Sequence, residues 1–252
     1  MVALDCAQSI CFLRGIFMKK YSVLQLRLSY IFKTIIILAS VIGSFLSAYL
    51  ENRSYTGTST VFMYFTIQSN VAMAIISAFG ICMLLAGAKL AKFWHIIQFV
   101  GTTSITLTGV VFTFMLAPVL GIEAWNFPNV LTHVVVPVVS VVDFFVISGI
   151  SGIDKKNVKY VVVPPIAYAI YAGIGYVLNW NFAEGVNYPY FFLNWGSPAG
   201  AFGFSSELPY LGTVWWILIL MAFLIAVGFC YLFIGDLLRK RLDAKAQAKG
   251  NA

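Results

Sequence analysis

The sequence predicts an all-α, polytopic membrane protein, a bundle of six transmembrane helices. Of its 252 residues, 61% are hydrophobic and only 10% are charged, and the mean hydropathy is +0.90. Soluble domains carry about a quarter charged residues, so lipid is the natural solvent for this chain. Crossing about 30 Å of hydrocarbon takes about 20 helical residues. The apolar stretches that reach this length are 31–50, 61–86, 93–120, 127–150, 160–178 and 211–235. Each must be helical, because lipid offers no partner to free backbone N–H and C=O groups.

The basic residues predict how these helices are oriented. With both termini on one side of the membrane, every Lys and Arg except Arg53 lies on that side. The opposite loops then hold the acidic residues Glu51, Glu123, Glu184 and Glu207. Because cytoplasmic loops are enriched in Lys and Arg, we predict a multi-pass protein of the plasma membrane with both termini cytoplasmic. The formal charge of +7 follows from this distribution, and no nucleic-acid partner is predicted.

The predicted transmembrane domain covers residues 29–236. Residues 1–28 mix apolar and basic residues, which suits a cytoplasmic segment at the inner membrane surface. They contain no proper apolar core with a small-residue cleavage site, so no signal peptide is predicted, and Met18 is an alternative start to Met1. Residues 237–252 are predicted to form a basic cytoplasmic tail. The four cysteines lack the paired spacing of a metal site, and we predict no disulfide, metal or cofactor.

The connection between the fifth and sixth predicted helices is unusually long and aromatic. Residues 179–204 read "NWNFAEGVNYPYFFLNWGSPAGAFGF". Disordered segments are poor in aromatic residues, so one interpretation is an ordered cap folded onto the outer ends of the helices. The alternative is a belt of aromatic residues at the membrane interface.

The second predicted helix carries a polar face inside the membrane. Thr66, Ser69 and Asn70 share this face by their i, i+3 and i+4 spacing. Packing between helices explains most intramembrane hydroxyl groups. The amides of Gln68 and Asn70 are costlier to bury in lipid, so we expect them to face an interior cavity.

Small polar residues also form stripes on the first and third predicted helices. Ser40 and Ser44, with the glycine between them, suit close contact between helices. The stripe on the third helix includes Thr102 and Thr106, which are further candidates for lining a substrate pocket.

Two ionisable residues lie in the fourth predicted helix, within "LTHVVVPVVSVVDFF" at residues 131–145. An aspartate in the middle of a span costs roughly 2.5–3.5 kcal/mol on insertion scales, so such residues mark function by default. Two structural alternatives stay open, a neutral His133 that bridges helices and an Asp143 that only accepts hydrogen bonds. Asp143 lies about 15 Å further along an ideal helix and about 80° around it. It therefore cannot directly orient the His133 ring unless a break at Pro137 bends the helix sharply, and a Ser-His-Asp type of relay is not predicted.

Thr66 and His133 are predicted to lie at the same depth. Counted from the outer ends of their helices at 1.5 Å per residue, Thr66 is about 7–8 Å deep and His133 about 9 Å deep. A threonine hydroxyl becomes a nucleophile when a neighbouring base takes its proton, and histidine has suitable basicity. Gln68, Asn70 or the amides at a helix end are candidates for stabilising an oxyanion. This depth suits the ester carbonyl of a lipid better than a soluble substrate.

Three stretches resemble a family of bacterial six-transmembrane proteins that is distantly similar to the eukaryotic androgen-induced, FAR-17a-like membrane proteins. They are "YFTIQSN", "LTHVVVPVVSVVDFF" and "YPYFFLNWG". The resemblance covers roughly residues 28–240 and rests on a Phe-Thr-x-Gln-Ser-Asn stretch and a His-x(3)-Pro-x(5)-Asp pattern. The chain departs from the family at Phe144, where tryptophan is usual, and at Phe191, where proline is common.

The eukaryotic relatives hydrolyse fatty-acid esters of hydroxy fatty acids with an intramembrane threonine and histidine. By this resemblance, the two roles fall on Thr66 and His133. The leading hypothesis is therefore an intramembrane hydrolase whose partners are membrane lipids and a lipid ester substrate. Two rivals stay open: a small-molecule or proton-coupled transporter that uses His133 and Asp143, and a lipid-binding protein without turnover.

Overall fold

The described residues contain six helices that are long and apolar enough to cross a membrane. The computed structural model describes residues 21–50, 60–86 and 92–250. Its helices are α1 Val23–Leu50, α2 Phe65–Leu85, α3 Lys92–Leu120, α4 Phe127–Ser151, α5 Lys155–Val177 and α6 Thr213–Gly250. These described residues form no β-strand. Two isolated β-bridges occur, both within the segment that connects α5 to α6. The prediction of an all-α chain with six such helices is confirmed.

α1 and α6 extend furthest beyond the stretches that the hydropathy pattern predicts. α1 begins at Val23, inside the segment predicted to precede the bundle, because Ser22 and Gln25 cap it reciprocally. The Gln25 N–H donates to Ser22 Oγ (3.2 Å) and the Ser22 N–H donates to Gln25 Oε1 (2.9 Å). α6 continues through the predicted basic tail, whose Ala, Lys and Arg residues favour helix. Residues 1–20 with the alternative start Met18, and Arg53, lie outside the described residues.

Small residues allow the helices to approach closely, as predicted for the first span. Ser40 and Ser44 are buried on α1. A Cβ atom added at Gly43 would fall 2.7 Å from Cγ2 of Thr132 on α4, so only glycine fits this contact. The same contact places the end of α1 beside the start of α4. Gly80 near the end of α2 lies against Lys33 in the first half of α1, so these two helices run antiparallel.

α3 and α4 each contain one π-helical turn directly before a proline. These turns are Phe112–Leu116 and Leu131–Val135. Pro118 and Pro137 have no N–H to donate to the preceding turn. The residue before each proline instead donates to the carbonyl five residues back, Ala117 to Phe112 and Val136 to Leu131. Each π turn shifts the register of the helix, and such turns are frequent at functional sites.

The connection between α5 and α6, residues 178–212, is ordered and packs on the helix ends. We call it the cap segment, and the end of the bundle that it covers the cap end. Phe182 is fully buried and its carbonyl accepts a hydrogen bond from the Tyr64 hydroxyl, 3.1 Å away. Of the two interpretations of this sequence, the ordered cap agrees with the structure.

Candidate functional site

The candidate site lies at the cap end, where α2 begins. Thr66 is the second residue of α2, and Tyr64 precedes the helix in an extended conformation. The first N–H groups of a helix have no acceptor in the preceding turn. The Thr66 N–H donates instead to the hydroxyl of Tyr190 in the cap segment, at 3.3 Å. The cap segment thus completes the N-terminus of α2.

The Thr66 hydroxyl lies within hydrogen-bond reach of the His133 ring, Oγ1 to Nε2 being 3.3 Å. On the other side of the ring, Nδ1 lies 3.0 Å from the backbone carbonyl of Asn129. A carbonyl oxygen only accepts hydrogen bonds, so Nδ1 carries the hydrogen. The Nε2 atom therefore presents its lone pair to the Thr66 hydroxyl, the arrangement in which a histidine takes a proton from a nucleophile.

The π turns and ring packing orient His133. The histidine lies in the π turn of α4, and Phe112 lies in the π turn of α3. The two rings stack at 3.7 Å between centroids with 17° between their planes. Gly109, one turn before Phe112, lets α3 approach the backbone of His133 so closely that a Cβ atom there would lie 2.8 Å from the His133 carbonyl oxygen.

Asn70 and Ser69 connect the Thr66 turn to its neighbours. The side-chain amide of Asn70 donates to the carbonyl oxygens of Thr66 (2.8 Å) and Thr132 (3.1 Å), so it joins α2 to α4. Ser69 Oγ lies 2.8 Å from Thr108 Oγ1 and joins α2 to α3. Both side chains are buried, as the helical face in the sequence predicts.

Tyr190 is a site residue that sequence reasoning missed. Its hydroxyl oxygen lies 3.4 Å from Thr66 Oγ1. Its ring stacks on Phe192, 5.1 Å away. Loss of contact with water raises the pKa of Tyr190 above its ordinary value, so it stays a neutral phenol with a hydrogen to donate. The sequence signals were the aromatic density of the cap segment and the stretch "YPYFFLNWG", which carries part of the family resemblance.

An apolar pocket adjoins Thr66. It is a narrow cleft with a volume of about 50 Å³. Thr66, Thr108 and Tyr190 supply polar groups, and the other walls are mostly aliphatic and aromatic, including Leu220 and Met221 of α6. His133 is not among the lining residues, and its Nε2 reaches the pocket through the Thr66 hydroxyl. This pocket has the chemistry to hold an acyl chain beside a hydroxyl group.

Three predicted pocket residues do not join Thr66. Gln68 is exposed and donates to the Phe62 carbonyl (3.1 Å), because two residues along a helix turn it about 200° away from Thr66. Thr106 Oγ1 pairs with the Tyr231 hydroxyl at 2.9 Å, towards α6. Thr102 is buried next to it on the same stripe. Gln68 lines a second cavity, between α2, α3 and α5, instead of the Thr66 pocket, and Thr108 takes the place expected for Thr102 and Thr106.

Asp143 belongs to a separate polar cluster at the opposite end of the bundle. It forms an ion pair with Lys33 of α1. It also accepts hydrogen bonds from Ser29 Oγ (2.7 Å) and Gln98 Nε2 (2.8 Å). Gln98 Oε1 in turn accepts from Ser148 Oγ at 2.6 Å. Asp143 makes none of the contacts that orient His133, in agreement with the predicted separation.

The chain was compared with protein-family models, with curated proteins and with solved structures, and none of them matches it. Within the described residues, no three His, Cys, Asp or Glu side chains lie close enough to hold a metal ion.

Proposed function

We propose that the protein hydrolyses an ester of a membrane lipid, with Thr66 as the nucleophile and His133 as the general base. The observation that carries this proposal is the 3.3 Å contact from Thr66 Oγ1 to His133 Nε2, with Nδ1 facing the carbonyl of Asn129. The resemblance to the FAR-17a-like proteins supports the same two roles.

In the proposed reaction, His133 Nε2 takes the Thr66 hydroxyl proton as Oγ1 attacks the ester carbonyl carbon. The carbonyl oxygen becomes an oxyanion, for which the Tyr190 hydroxyl, 3.4 Å from Thr66 Oγ1, is the proposed donor. Collapse of this intermediate breaks the ester C–O bond, and His133 returns the proton to the departing alcohol. Water then attacks the acyl carbon of the acyl-threonine while His133 takes a proton from it. The bond from the acyl carbon to Thr66 Oγ1 breaks, His133 returns the proton to Oγ1, and the fatty acid is released.

The apolar pocket supports a lipid as the substrate. Its walls are hydrocarbon side chains apart from a few hydroxyl groups around Thr66. Burial in this pocket favours binding of an acyl chain, because apolar surface leaves water. It disfavours a polar substrate, which would lose its hydrogen bonds to water. The few hydroxyl groups would hold the ester at the reacting end of the chain.

A fluorophosphonate probe tests the proposal, since it traps an activated hydroxyl nucleophile. The wild-type protein in detergent should be labelled at Thr66, and Thr66→Ala should abolish the labelling. Thr106→Ala is the matched control, because it removes a threonine hydroxyl that pairs with Tyr231 instead. Equal labelling of the wild type and Thr66→Ala would refute the proposal.

The two rivals predict other outcomes. A proton-coupled transporter requires pH-dependent flux that Asp143→Asn abolishes and Thr66→Ala leaves intact. The ion pair with Lys33 speaks against this role, because it compensates the charge of Asp143. A lipid-binding protein without turnover would retain a bound lipid but resist the probe.

We infer that both termini face the cytoplasm and that the membrane is the plasma membrane. The distribution of Lys and Arg supports this orientation. Lys33 does not support it, because its side chain is buried against Asp143 instead of lying at the membrane edge. Reporter fusions after Lys159 and Ala252 should report the cytoplasm, and a fusion after Glu184 the outside. The reverse pattern would overturn the orientation.

A further inference from the structure

A second cavity opens between α2, α3 and α5, apart from the Thr66 pocket. Its empty volume is about 1600 Å³, including space open to the surroundings. The walls are largely hydrocarbon, with Ala72 of α2, Ile97 and Val100 of α3, and Ala167 of α5 among them. The contacting rings of Phe65 and Tyr168, with centroids 5.2 Å apart, line both cavities. We call the second cavity the lateral groove.

The lateral groove runs along the helices. Its α3 wall extends from Phe93 to Ser104, which corresponds to about 16 Å at 1.5 Å per residue. Its α2 wall extends over an equal stretch, from Phe65 to Ile76. All three helices that line the groove are candidate membrane spans. The occupant must therefore come from the bilayer and be long, narrow and apolar, which describes a lipid acyl chain.

Lysine residues surround one end of the groove, opposite to the cap end. Asn157 and Tyr160 line the groove there, and Lys159 Nζ lies 5.2 Å from the centroid of the Tyr160 ring. Lys92 directly precedes the lining residue Phe93. Asp154 pairs with Lys156 at 3.1 Å, and Lys155 and Lys159 lie in the same helical segment, directly after Asp154.

The charges at this mouth lie close enough to influence one another. The pKa of Asp154 is lowered, first by the hydrogen bonds from Lys156 and also by attraction to Lys92. Lys92 on α3 and Lys156 on α5 thus approach the same carboxylate from two helices. One carboxylate cannot neutralise this group of lysines, and the remaining positive charge is exposed.

We propose that the lateral groove binds an anionic phospholipid, with an acyl chain between α2, α3 and α5 and the phosphate among these lysines. A basic site between membrane helices is the arrangement that recognises anionic head groups. Lys92 and Lys159 adjoin the lining residues Phe93 and Tyr160, so a single molecule with an apolar chain and an anionic group satisfies both the walls and the mouth. A zwitterionic phospholipid would fill the walls equally well but leave the lysine charge uncompensated. This site does not depend on the proposed hydrolysis.

Competition between two lipids tests the proposal. The full chain is reconstituted in vesicles with equal amounts of phosphatidylglycerol and phosphatidylcholine, then extracted in mild detergent. Mass spectrometry measures the lipids that stay bound. The wild type should retain phosphatidylglycerol in clear excess. The double variant Lys92→Gln, Lys159→Gln should reduce that excess by about fivefold for each lysine, since each contributes about a factor of five near a membrane surface.

A second pair of variants tests the position of the chain. Ala72→Phe and Ala167→Phe fill the groove and should lower the total amount of retained lipid. Ala78→Phe is the matched control, because Ala78 is exposed on α2 but does not line the groove. Lys240→Gln with Lys245→Gln controls for net charge, since both lysines lie on α6.

Equal retention of the two lipids by the wild type would overturn the proposal. So would an excess of phosphatidylglycerol that survives the loss of Lys92 and Lys159, or retention unaffected by Ala72→Phe and Ala167→Phe. The midpoint of thermal unfolding is measured for each variant and its control. Lipid retention is compared only between variants whose midpoints agree.

Discussion

Lys33 and Asp143 form an ion pair in the interior of the bundle, where their side chains are only 3% and 1% exposed. The pair joins α1 to α4, and Gln98 adds α3 through its hydrogen bond to the same carboxylate. An isolated charge is costly inside a membrane, but a paired and hydrogen-bonded one is tolerated. Asp143 therefore stabilises the packing of three helices, whereas His133 lies beside the Thr66 hydroxyl, which faces the apolar pocket.

The first prediction concerns this pair. Lys33→Met should destabilise the protein by about 3–5 kcal/mol, because it leaves the Asp143 charge buried without a partner. The double variant Lys33→Met, Asp143→Leu should recover much of this loss. Denaturation in detergent measures both, and Lys156→Gln, which breaks an exposed pair with Asp154, should change stability little. If the loss of stability in the double variant equalled the sum of the losses in Lys33→Met and in Asp143→Leu alone, the two residues would not be coupled.

The second prediction concerns Tyr190. Tyr190→Phe should slow labelling of Thr66 by about 10²-fold or more, the effect of removing one donor to an oxyanion. The ring remains and can still stack on Phe192, so stability should fall by only about 1 kcal/mol, as for one hydrogen bond. Initial rates of probe labelling measure the effect. Tyr188→Phe, two residues earlier in the cap segment, is the control. Unchanged rates in Tyr190→Phe would exclude the tyrosine from the reaction.

The third prediction concerns Asn70, a positioning residue. Asn70→Ala removes the donor shared by the carbonyl oxygens of Thr66 and Thr132, and should destabilise the protein by about 1–3 kcal/mol. The labelling rate should also fall, because α2 and α4 are no longer tied at the level of the site. Ser77→Ala is the control, since Ser77 is buried on the same helix about 10 Å further along. Equal losses of activity in the two variants would indicate a general effect on stability only.

The fourth prediction concerns the close approach of α3 and α4. Gly109→Ala places a Cβ atom 2.8 Å from the His133 carbonyl oxygen and 3.2 Å from Pro137, so the two helices must separate. Both stability and labelling should decrease. Gly173→Ala is the matched control, because its Cβ would meet only Trp195 at 3.7 Å, and a helical alanine is favoured over glycine. Unchanged labelling in Gly109→Ala would show that the His133 position tolerates this separation.

Much of the site was predictable because it depends on local geometry. The rise per residue placed Thr66 and His133 at one level, and the structure brings them to 3.3 Å. Helical spacing put Ser69 and Asn70 on the buried face of α2. The same spacing places Gln68 about 200° away from Thr66, so the sequence contained the reason why it does not join the site.

Other parts of the site depend on contacts between distant segments. Tyr190 reaches Thr66 across 124 residues, and no periodicity predicts which aromatic residue of the cap segment does so. From the sequence, Lys33 was counted among the basic residues at the cytoplasmic membrane edge. In the structure it is buried instead, because it pairs with Asp143, 110 residues away. The tautomer of His133 follows from the Asn129 carbonyl, and its ring orientation from Phe112 on another helix.

By itself, the sequence determined the number and type of the helices and the positions of the polar residues along them, because hydropathy and helical period act along a single helix. Only the tertiary structure decided which polar side chains meet. That outcome depends on the rotation of each helix about its axis, which the π turns of α3 and α4 alter and which close packing between helices then sets.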